Sequence, residues 1–319
     1  PCPGAGVEFA CGEGGPGFLP GSAWNEMRRE ALDKLLQKRS EPAPLATKEI
    51  TLPEYAEHEV GMIPQLAARF ETAAQLPGAE YLAKLRYLIL PIREADAVPQ
   101  PLRCKTLLEL PRAAFGTVEP DTMRRLAALE GSGFAGVVAN NLAQFGYASP
   151  LPVFGGLGLN VTNPMSAAEY VCLGARGLLV QPETALTAMR AVAPRQKDGT
   201  PVPTAALCYG HLPLMLTRAC PLRNVRTSCV GCTHKGKLRD RKGRDFPVRC
   251  SAPGSAGMRT VFNPVPLYMG DRLTEMPVDL VVAAFTLEPA DRVEEVLTRL
   301  FHQQPFDGEF TRGLYYTNN

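Results

Sequence analysis

The sequence predicts an α/β fold, a (β/α)8 TIM-like barrel with a cysteine-rich insertion between strands seven and eight. Three observations lead to this prediction. Short apolar runs alternate with helical segments over most of the 319 residues, a rhythm typical of parallel strands joined by helices. Eight such units over about 240 residues fit a closed barrel. About 70 residues separate the last two strands, far more than a normal βα connection.

The N-terminal residues 1–47 differ from the rest and are predicted to be the tail of a preceding domain plus a linker. Residues 1–21 are rich in glycine and proline. A helix is predicted from Ser22, which can cap it, to about Gln37. Its apolar residues recur at helical spacing: Trp24, Met27, Ala31, Leu32 and Leu35. Because the sequence does not start with methionine, we expect it to be part of a longer protein.

The barrel is predicted to occupy residues 48–319. Its strands are short apolar runs, as expected where both faces of a strand are buried. In chain order they are Gln65–Phe70, Tyr87–Pro91, Thr106–Pro111, Gly136–Asn140, Pro152–Gly156, Gly177–Gln181, Thr204–Tyr209 and Asp279–Phe285. A hydrophobic content of 45% supplies enough apolar surface for such a core.

Helices are predicted after several strands. Proline in the first turn marks two helix starts, and the spacing of Ser166 and Glu169 is that of a capping box. The predicted helices run from Glu119 to Glu130, from about Ser166, from Pro182-Glu183, and from about Pro289 to Phe301. The helices of the second and third units are poorly marked, so an open doubly wound sheet is the alternative fold.

Four of the nine cysteines crowd into the predicted insertion, at about residues 209–275. Their spacing is Cys220-x8-Cys229-x2-Cys232-x17-Cys250. Four thiolates can enclose a zinc ion or an iron–sulfur cluster. A zinc ribbon usually has two Cys-x2-Cys pairs, and the single pair here favours a cluster. In the zinc alternative, His234 could replace a ligand.

The other five cysteines are not predicted to bind metal. Three of them lie near apolar elements and are expected to be small core residues: Cys104, Cys172 and Cys208. Cys2 and Cys11 precede the barrel and are expected to be irrelevant to it. An odd cysteine count in a chain of this length does not indicate a disulfide framework.

The insertion is also basic. Its predicted RNA-binding residues are Lys235, Lys237, Arg239, Arg241, Lys242 and Arg244. The net charge of the whole chain is only +2, so nucleic-acid binding has to come from a local patch of this kind. The alternative is a solvated, charged loop, which is the more common meaning of a charge run.

Polar residues follow several predicted strands, where a barrel would have its active site. They are Arg69, Arg112, Asn140, Asn141, Asn160, Asn163, Glu183, His211 and Arg218. His211 is a candidate general acid–base, Asn160 lies in a glycine-rich segment, and Glu183 is a third candidate. Structural alternatives are packing for His211, a turn for Asn160 and a helix start for Glu183.

Two further features are missing from the sequence. No apolar run reaches the roughly 18 residues that a membrane helix needs, and no basic start precedes an apolar stretch as in a signal peptide. We therefore expect a cytoplasmic protein without a membrane segment. No Ser-His-Asp order, zinc-protease helix or phosphate-binding loop is present either, and the residues alone do not indicate a catalytic mechanism.

Three blocks around the cysteines resemble the peptidase U32 family of collagenase-like proteins. They are Tyr209–Pro221, Cys229–Cys232 and Leu238–Cys250, supported by Gly156–Asn163, Asn263–Arg272 and Phe310–Tyr316. The similarity runs from about Pro64 to the end and points to the C-terminal barrel of the long bacterial members. The segment Trp24–Leu36 resembles the end of the domain that precedes this barrel.

The resemblance implies a barrel with a 4Fe-4S cluster on Cys220, Cys229, Cys232 and Cys250. Several members, although named as peptidases, are linked to oxygen-independent hydroxylation of RNA bases or of a quinone precursor, with prephenate as the apparent oxygen source. We therefore expect an enzyme domain that acts on RNA with a small-molecule oxygen donor such as prephenate. A collagenase-like peptidase and a non-catalytic structural or RNA-binding barrel are the alternatives.

The chain departs from the family pattern at one place. Many members have a cysteine seven residues before the position of Cys220, within a His-Gly-x-x-Cys motif. Here Tyr209-Gly210 replaces His-Gly, and Pro213 stands at the cysteine position. The extra cysteine in the pair Cys229-x2-Cys232 would restore four ligands. The departure also fits a diverged barrel that supports another one upstream.

Overall fold

The computed structural model describes residues 18–42, 56–147, 149–222, 229–251 and 257–317. The chain divides into two compact units, Pro1–Pro53 and Glu54–Asn319. Cys2, Cys11 and most of the predicted linker lie outside the described residues. No helix in the described ranges is both long enough and apolar enough to span a membrane.

The described part of the first unit is a single helix, Gly21–Ser40 (α1). The predicted cap is wrong: Pro20 occupies the N-cap position, and Ser22 lies inside the first turn. Proline suits this boundary because its fixed φ is compatible with a helix start. None of the helix residues is buried, and Trp24 and Leu35 remain about half exposed.

The second unit is a closed barrel of eight parallel strands, as predicted. The strands are Gln65–Phe70 (β1), Leu88–Pro91 (β2), Thr106–Glu109 (β3), Gly136–Ala139 (β4), Val153–Gly155 (β5), Leu178–Leu179 (β6), Thr204–Gly210 (β7) and Leu280–Phe285 (β13). Each strand pairs with the next, and β13 pairs with both β7 and β1. Pairing of β6 with β7 completes the ring, which excludes the open doubly wound sheet.

Helices and 3-10 turns connect the strands. The helices are Ala79–Lys84 (α2), Val118–Ala127 (α3), Pro164–Cys172 (α4), Leu186–Met189 (α5) and Ala290–Phe301 (α6). The predicted capping box at Ser166 is wrong, because Asn163 caps α4 and its Oδ1 accepts the amide of Ser166 at 2.9 Å. The helix predicted from Pro182 begins only at Leu186, after a turn.

The strands bury both faces, since their outward side chains pack under the helices and their inward ones surround the barrel axis. On α6, a stripe at helical spacing is buried against the barrel: Val293, Val296, Leu297 and Leu300. Cys208 is buried, as predicted. Cys104 and Cys172 are exposed, so that prediction is wrong: one lies in a 3-10 turn and the other ends α4.

The insertion between β7 and β13 contains a small antiparallel sheet. Its strands are Pro213–Thr217 (β8), Lys235–Arg239 (β9), Asp245–Cys250 (β10) and Arg259–Phe262 (β11), in the spatial order β8-β11-β10-β9. The chain then adds Leu267–Tyr268 (β12), which pairs antiparallel with β7. The sequence predicted the position of the insertion but not this sheet.

Candidate functional site at the barrel mouth

A cavity of about 440 Å³ lies within the barrel and opens at the C-terminal ends of its strands. Its walls are inward-pointing barrel side chains, and its roof is the insertion sheet. The lining residues include Ala67, Ile89, Leu107, Leu207 and Val282 from the barrel, and Leu216, Arg249, Thr260 and Phe262 from the sheet. Active sites of TIM-barrel enzymes lie at this end, so the cavity is the candidate functional site.

The insertion sheet presents one face to the cavity. Arg249 on β10 lies opposite Thr260 on β11, which lies opposite Leu216 on β8. Residues directly opposite each other in a sheet share a face, and all three line the cavity. The chain segments that lead into and out of the sheet are adjacent, because the amide of Asn263 donates to the carbonyl of Leu212 at 2.8 Å. The sheet is therefore a roof joined to the barrel at one place.

Arg69 is the centre of a charged network at the mouth. Its Nε and Nη2 donate to Oε2 of Glu109 at 3.0 and 2.8 Å, and its Nη1 donates to Oε2 of Glu71 at 2.6 Å. Arg93 donates to the other oxygen of Glu71. Burial alone would lower the pKa of Arg69, but the two carboxylates raise it above its usual value. Arg69 is thus a charged and fully paired part of the wall.

Asn140, a predicted polar residue after β4, is buried behind this network. Its Nδ2 donates to the carbonyl of Leu110 at 2.9 Å and to Oε1 of Glu109 at 3.4 Å, and its Oδ1 accepts the amide of Gly158 at 3.1 Å. A Cβ at Gly158 would lie 2.1 Å from the carbonyl oxygen of Asn140. The close approach that the glycine-rich segment predicted is therefore an approach to Asn140.

His211 and Glu288 form a second polar group. Nδ1 of His211 lies 2.7 Å from the carbonyl oxygen of Asn263, so this nitrogen carries a proton. Its Nε2 lies 4.0 Å from Oε1 of Glu288. Glu288 accepts the Tyr209 hydroxyl at 2.8 Å and two nearby backbone amides, and burial with this carboxylate raises the pKa of Tyr209. Since His211 lines the cavity, its Nε2 can exchange a proton with a ligand.

Two other arginines line the cavity without being neutralised. Burial lowers the pKa of Arg112, with Glu109 opposing this effect, and it lowers the pKa of Arg249, with Glu71 and Glu288 opposing it. Neither guanidinium forms an ion pair within the described ranges. A partly buried cation without a counter-ion is unfavourable, so these two side chains favour an anion in the cavity.

The sheet register brings the four predicted metal ligands to one end of the roof. Cys250 is the last residue of β10 and lies opposite Arg259, which lies opposite Thr217 at the end of β8. Cys220 follows Thr217 by three residues. Cys250 also lines the cavity, so this end of the sheet reaches the candidate site.

The other two cysteines lead into β9 at the same end. The amide of Cys232 donates to the carbonyl of Cys229 at 3.2 Å, and the amide of His234 donates to Sγ of Cys232 at 3.4 Å. The amide of Cys250 donates to the carbonyl of His234 at 2.9 Å. As placed, no three His, Cys, Asp or Glu side chains of the described residues converge into a metal site. In donor chemistry, four thiols at one sheet end fit an iron–sulfur cluster or zinc.

The predicted RNA-binding residues lie on β9, on the β9–β10 turn and at its end, all exposed. Three of them are paired: Lys237 and Arg239 with Asp245 at 2.5 and 2.7 Å, and Arg244 with Glu309 at 2.5 Å. The others form no ion pair with any residue that the structure describes: Lys235, Arg241 and Lys242. These last three retain a full charge for a phosphate.

Two of the three predicted catalytic candidates do not line the cavity. Asn160 has a left-handed backbone (φ 52°) at the end of a 3-10 turn, and its Oδ1 accepts Nε2 of Gln181 at 3.0 Å. Glu183 is exposed in the turn before α5. Arg218 stacks its guanidinium 4.7 Å from the ring centre of Phe115, which attaches the roof to the loop after β3.

Sequence reasoning missed the carboxylates of the mouth, which are Glu71, Glu109 and Glu288. Each lies at or just after the C-terminal end of an apolar strand. A charged residue at this position was the available signal, because the carboxyl ends of barrel strands meet around one opening.

No family model matches the sequence, and no curated protein matches it. Among solved structures, the chain is similar to the U32 peptidase Mk0906, with 12% identity and a TM-score of 0.39 over 75% of this chain and 98% of that chain. It is also similar to the spore cortex-lytic enzyme SleL of Bacillus cereus (10% identity, TM-score 0.33, 83% and 78% covered) and of Bacillus megaterium QM B1551 (11%, 0.28, 91% and 85%). Similarity at these TM-scores does not assign a function.

Proposed function

We propose that this chain is a U32-type barrel that carries an iron–sulfur cluster and takes part in oxygen-independent hydroxylation of an RNA base. The observation that carries the proposal is the position of the four cysteines. They lie at one end of the sheet that roofs the cavity, and Cys250 lines that cavity. The sequence blocks shared with the U32 family support the same assignment.

The chain's own residues have distinct roles in this proposal. Cys220, Cys229, Cys232 and Cys250 would hold the cluster, which when bound would supply an electron-transfer or Lewis-acid centre next to the cavity. His211 would hold or release a proton at Nε2, and its tautomer is set by the carbonyl of Asn263.

The two reactants have separate places in the proposal. The small-molecule oxygen donor, such as prephenate, would occupy the cavity. The RNA backbone would bind the exposed cations of the β9–β10 hairpin, where Lys235, Arg241 and Lys242 lack carboxylate partners among the described residues. An RNA base is reached by taking it out of its stack, so the reacting base would have to enter the mouth from this side.

The test compares Cys250→Ser with Cys104→Ser, an exposed cysteine outside the insertion. Both variants are purified without oxygen for iron, sulfide and zinc analysis, and both are returned to cells that lack the gene for mass spectrometry of RNA nucleosides. We expect Cys250→Ser to lose iron and one hydroxylated nucleoside, and Cys104→Ser to keep both. Colourless protein with one zinc, or an RNA modification profile unchanged by gene deletion, would contradict the proposal.

A further inference from the structure

The axis of the barrel is hollow. TIM-barrel interiors are normally filled by layers of bulky branched side chains, whereas here small residues occupy inward positions on three adjacent strands. They are Ala67, Ala205 and Ala284. Ala205 and Ala284 keep solvent-accessible surface although they lie within barrel strands. The cavity accordingly extends to Pro203 and Leu280, at the N-terminal starts of β7 and β13.

The charge of the cavity is concentrated at its opposite, upper end. Three of the arginines that line it are held by carboxylates: Arg69 and Arg93 by Glu71 and Glu109, and Arg125 by Asp121 at 3.0 Å. Arg112, on the loop after β3, and Arg249, on the roof, form no ion pair with a described residue. The site therefore combines a deep apolar chamber with unneutralised positive charge at its mouth.

We propose that this cavity binds a carboxylate with an apolar body, such as an aryl or cyclic acid. The apolar body occupies the chamber beside Ala205 and Ala284, and the carboxylate pairs with Arg112 and Arg249. Arginine suits this task because its planar guanidinium matches a carboxylate. The volume is within the range of small-molecule sites. The inference deepens the proposed function, on which it rests for the role of the ligand as a reactant.

The experiment is isothermal titration of the full chain with four probes. 3-Phenylpropanoate carries both features, succinate carries charge without an apolar ring, benzyl alcohol carries the ring without charge, and inorganic phosphate tests for a general anion site. We expect 3-phenylpropanoate to bind at least about tenfold more tightly than each of the others. Equal affinity for succinate or phosphate would overturn the apolar half, and equal affinity for benzyl alcohol would overturn the anionic half.

Substitutions test the assigned residues. Arg112→Gln and Arg249→Gln should each weaken 3-phenylpropanoate binding by about tenfold. Lys235→Gln is the matched control, because Lys235 lies opposite Arg249 in the sheet but does not line the cavity. Ala205→Leu, with Ala284→Val as a second filling variant, should abolish binding while circular dichroism stays native. A folded filling variant that binds as well as wild type, or a control that weakens binding equally, would refute the assignment.

The outcome separates this inference from the proposed function. Binding of 3-phenylpropanoate needs neither RNA nor bound metal. Protein with iron, sulfide and the RNA modification but no 3-phenylpropanoate binding would overturn this inference and leave the proposed function standing. Protein that binds 3-phenylpropanoate but contains no iron would contradict the proposed cluster and leave the cavity assignment intact.

Discussion

Asn140 joins three parts of the barrel mouth through one side chain. It reaches the backbone after β3, the carboxylate of Glu109 and the glycine-rich segment at Gly158. A buried amide is stabilising only when most of its donors and acceptors are bonded, and here the neighbouring chain comes close enough because Gly158 has no Cβ. The cavity wall therefore depends on residues that do not line it.

Gly158→Ala should destabilise the protein by about 1 to 3 kcal/mol, because the new methyl group would overlap the carbonyl of Asn140 and force a backbone shift. Gly146→Ala is the control, since a Cβ at that position meets nothing within 4 Å, and its effect should stay within about 0.5 kcal/mol. Urea denaturation of both variants measures the difference. Similar midpoints for the two would show that the contact is not a constraint.

At the residue scale, the sequence distinguished polar positions near the mouth but not their roles. Arg69, Arg112 and His211 line the cavity, as their positions after strands predicted. Asn160 and Glu183 follow strand ends in the same way but serve a turn and a helix start. Whether a side chain points inward depends on a phase of the strand that shifts by one residue at each end, and the sequence does not specify this phase.

The insertion sheet is an element that the sequence located without describing. The barrel strands were predictable because both their faces are buried and their sequences are continuously apolar. β9, with Lys235, Lys237 and Arg239 alternating around Gly236 and Leu238, has a solvated face and an unpaired edge. Its charges resemble those of a loop, although lysines on an edge strand also prevent unwanted pairing.

Replacing residues 213–262 with two glycines should leave a folded barrel. Leu212 and Asn263 already share the hydrogen bond that closes a β-turn, and glycines accept the backbone angles of a two-residue turn. We expect cooperative thermal unfolding at a lower midpoint, together with complete loss of bound iron. A two-proline link, which cannot adopt these angles, is the control and should fold less well. Non-cooperative unfolding with glycines would show that the barrel requires its roof.

On the scale of the whole molecule, closure of the barrel followed from the count and spacing of strands, whereas the hollow axis did not. Alanine in a buried strand predicts a core position equally well in a filled and in an empty barrel. Only the meeting of Ala67, Ala205 and Ala284 around one axis creates the space, and this meeting depends on the register between β1, β7 and β13.

Acid should destabilise the whole unit through its paired carboxylates. Burial would raise the pKa of Glu71, but Arg69 and Arg93 outweigh it and hold this pKa below its usual range; hydrogen bonds from Arg312 do the same for Asp271. A depressed pKa stabilises the folded state above the unfolded-state pKa, near 4, and this contribution disappears as pH falls through the folded-state pKa. We therefore expect urea midpoints to fall below about pH 4.5.

The variant Asp271→Asn tests this dependence. It removes a bidentate pair with Arg312 at 2.6 and 2.7 Å, so it should cost roughly 1.5 to 3 kcal/mol at pH 7 and flatten the acid decline. Asp96→Asn, an exposed residue without an ion pair in the described ranges, should behave as wild type. A urea midpoint that is constant from pH 7 to pH 3 would contradict the linkage.

The adjacent attachment of the roof, at Leu212 and Asn263, has a consequence for how the chain can vary in length. The barrel holds both ends of the inserted segment side by side, whatever lies between them. Loop-closure entropy grows only with the logarithm of length, so doubling such a segment costs the barrel about 0.6 kcal/mol. Length changes in the roof are therefore nearly neutral for the barrel, and the segment is free to gain or lose residues under selection for chemistry alone.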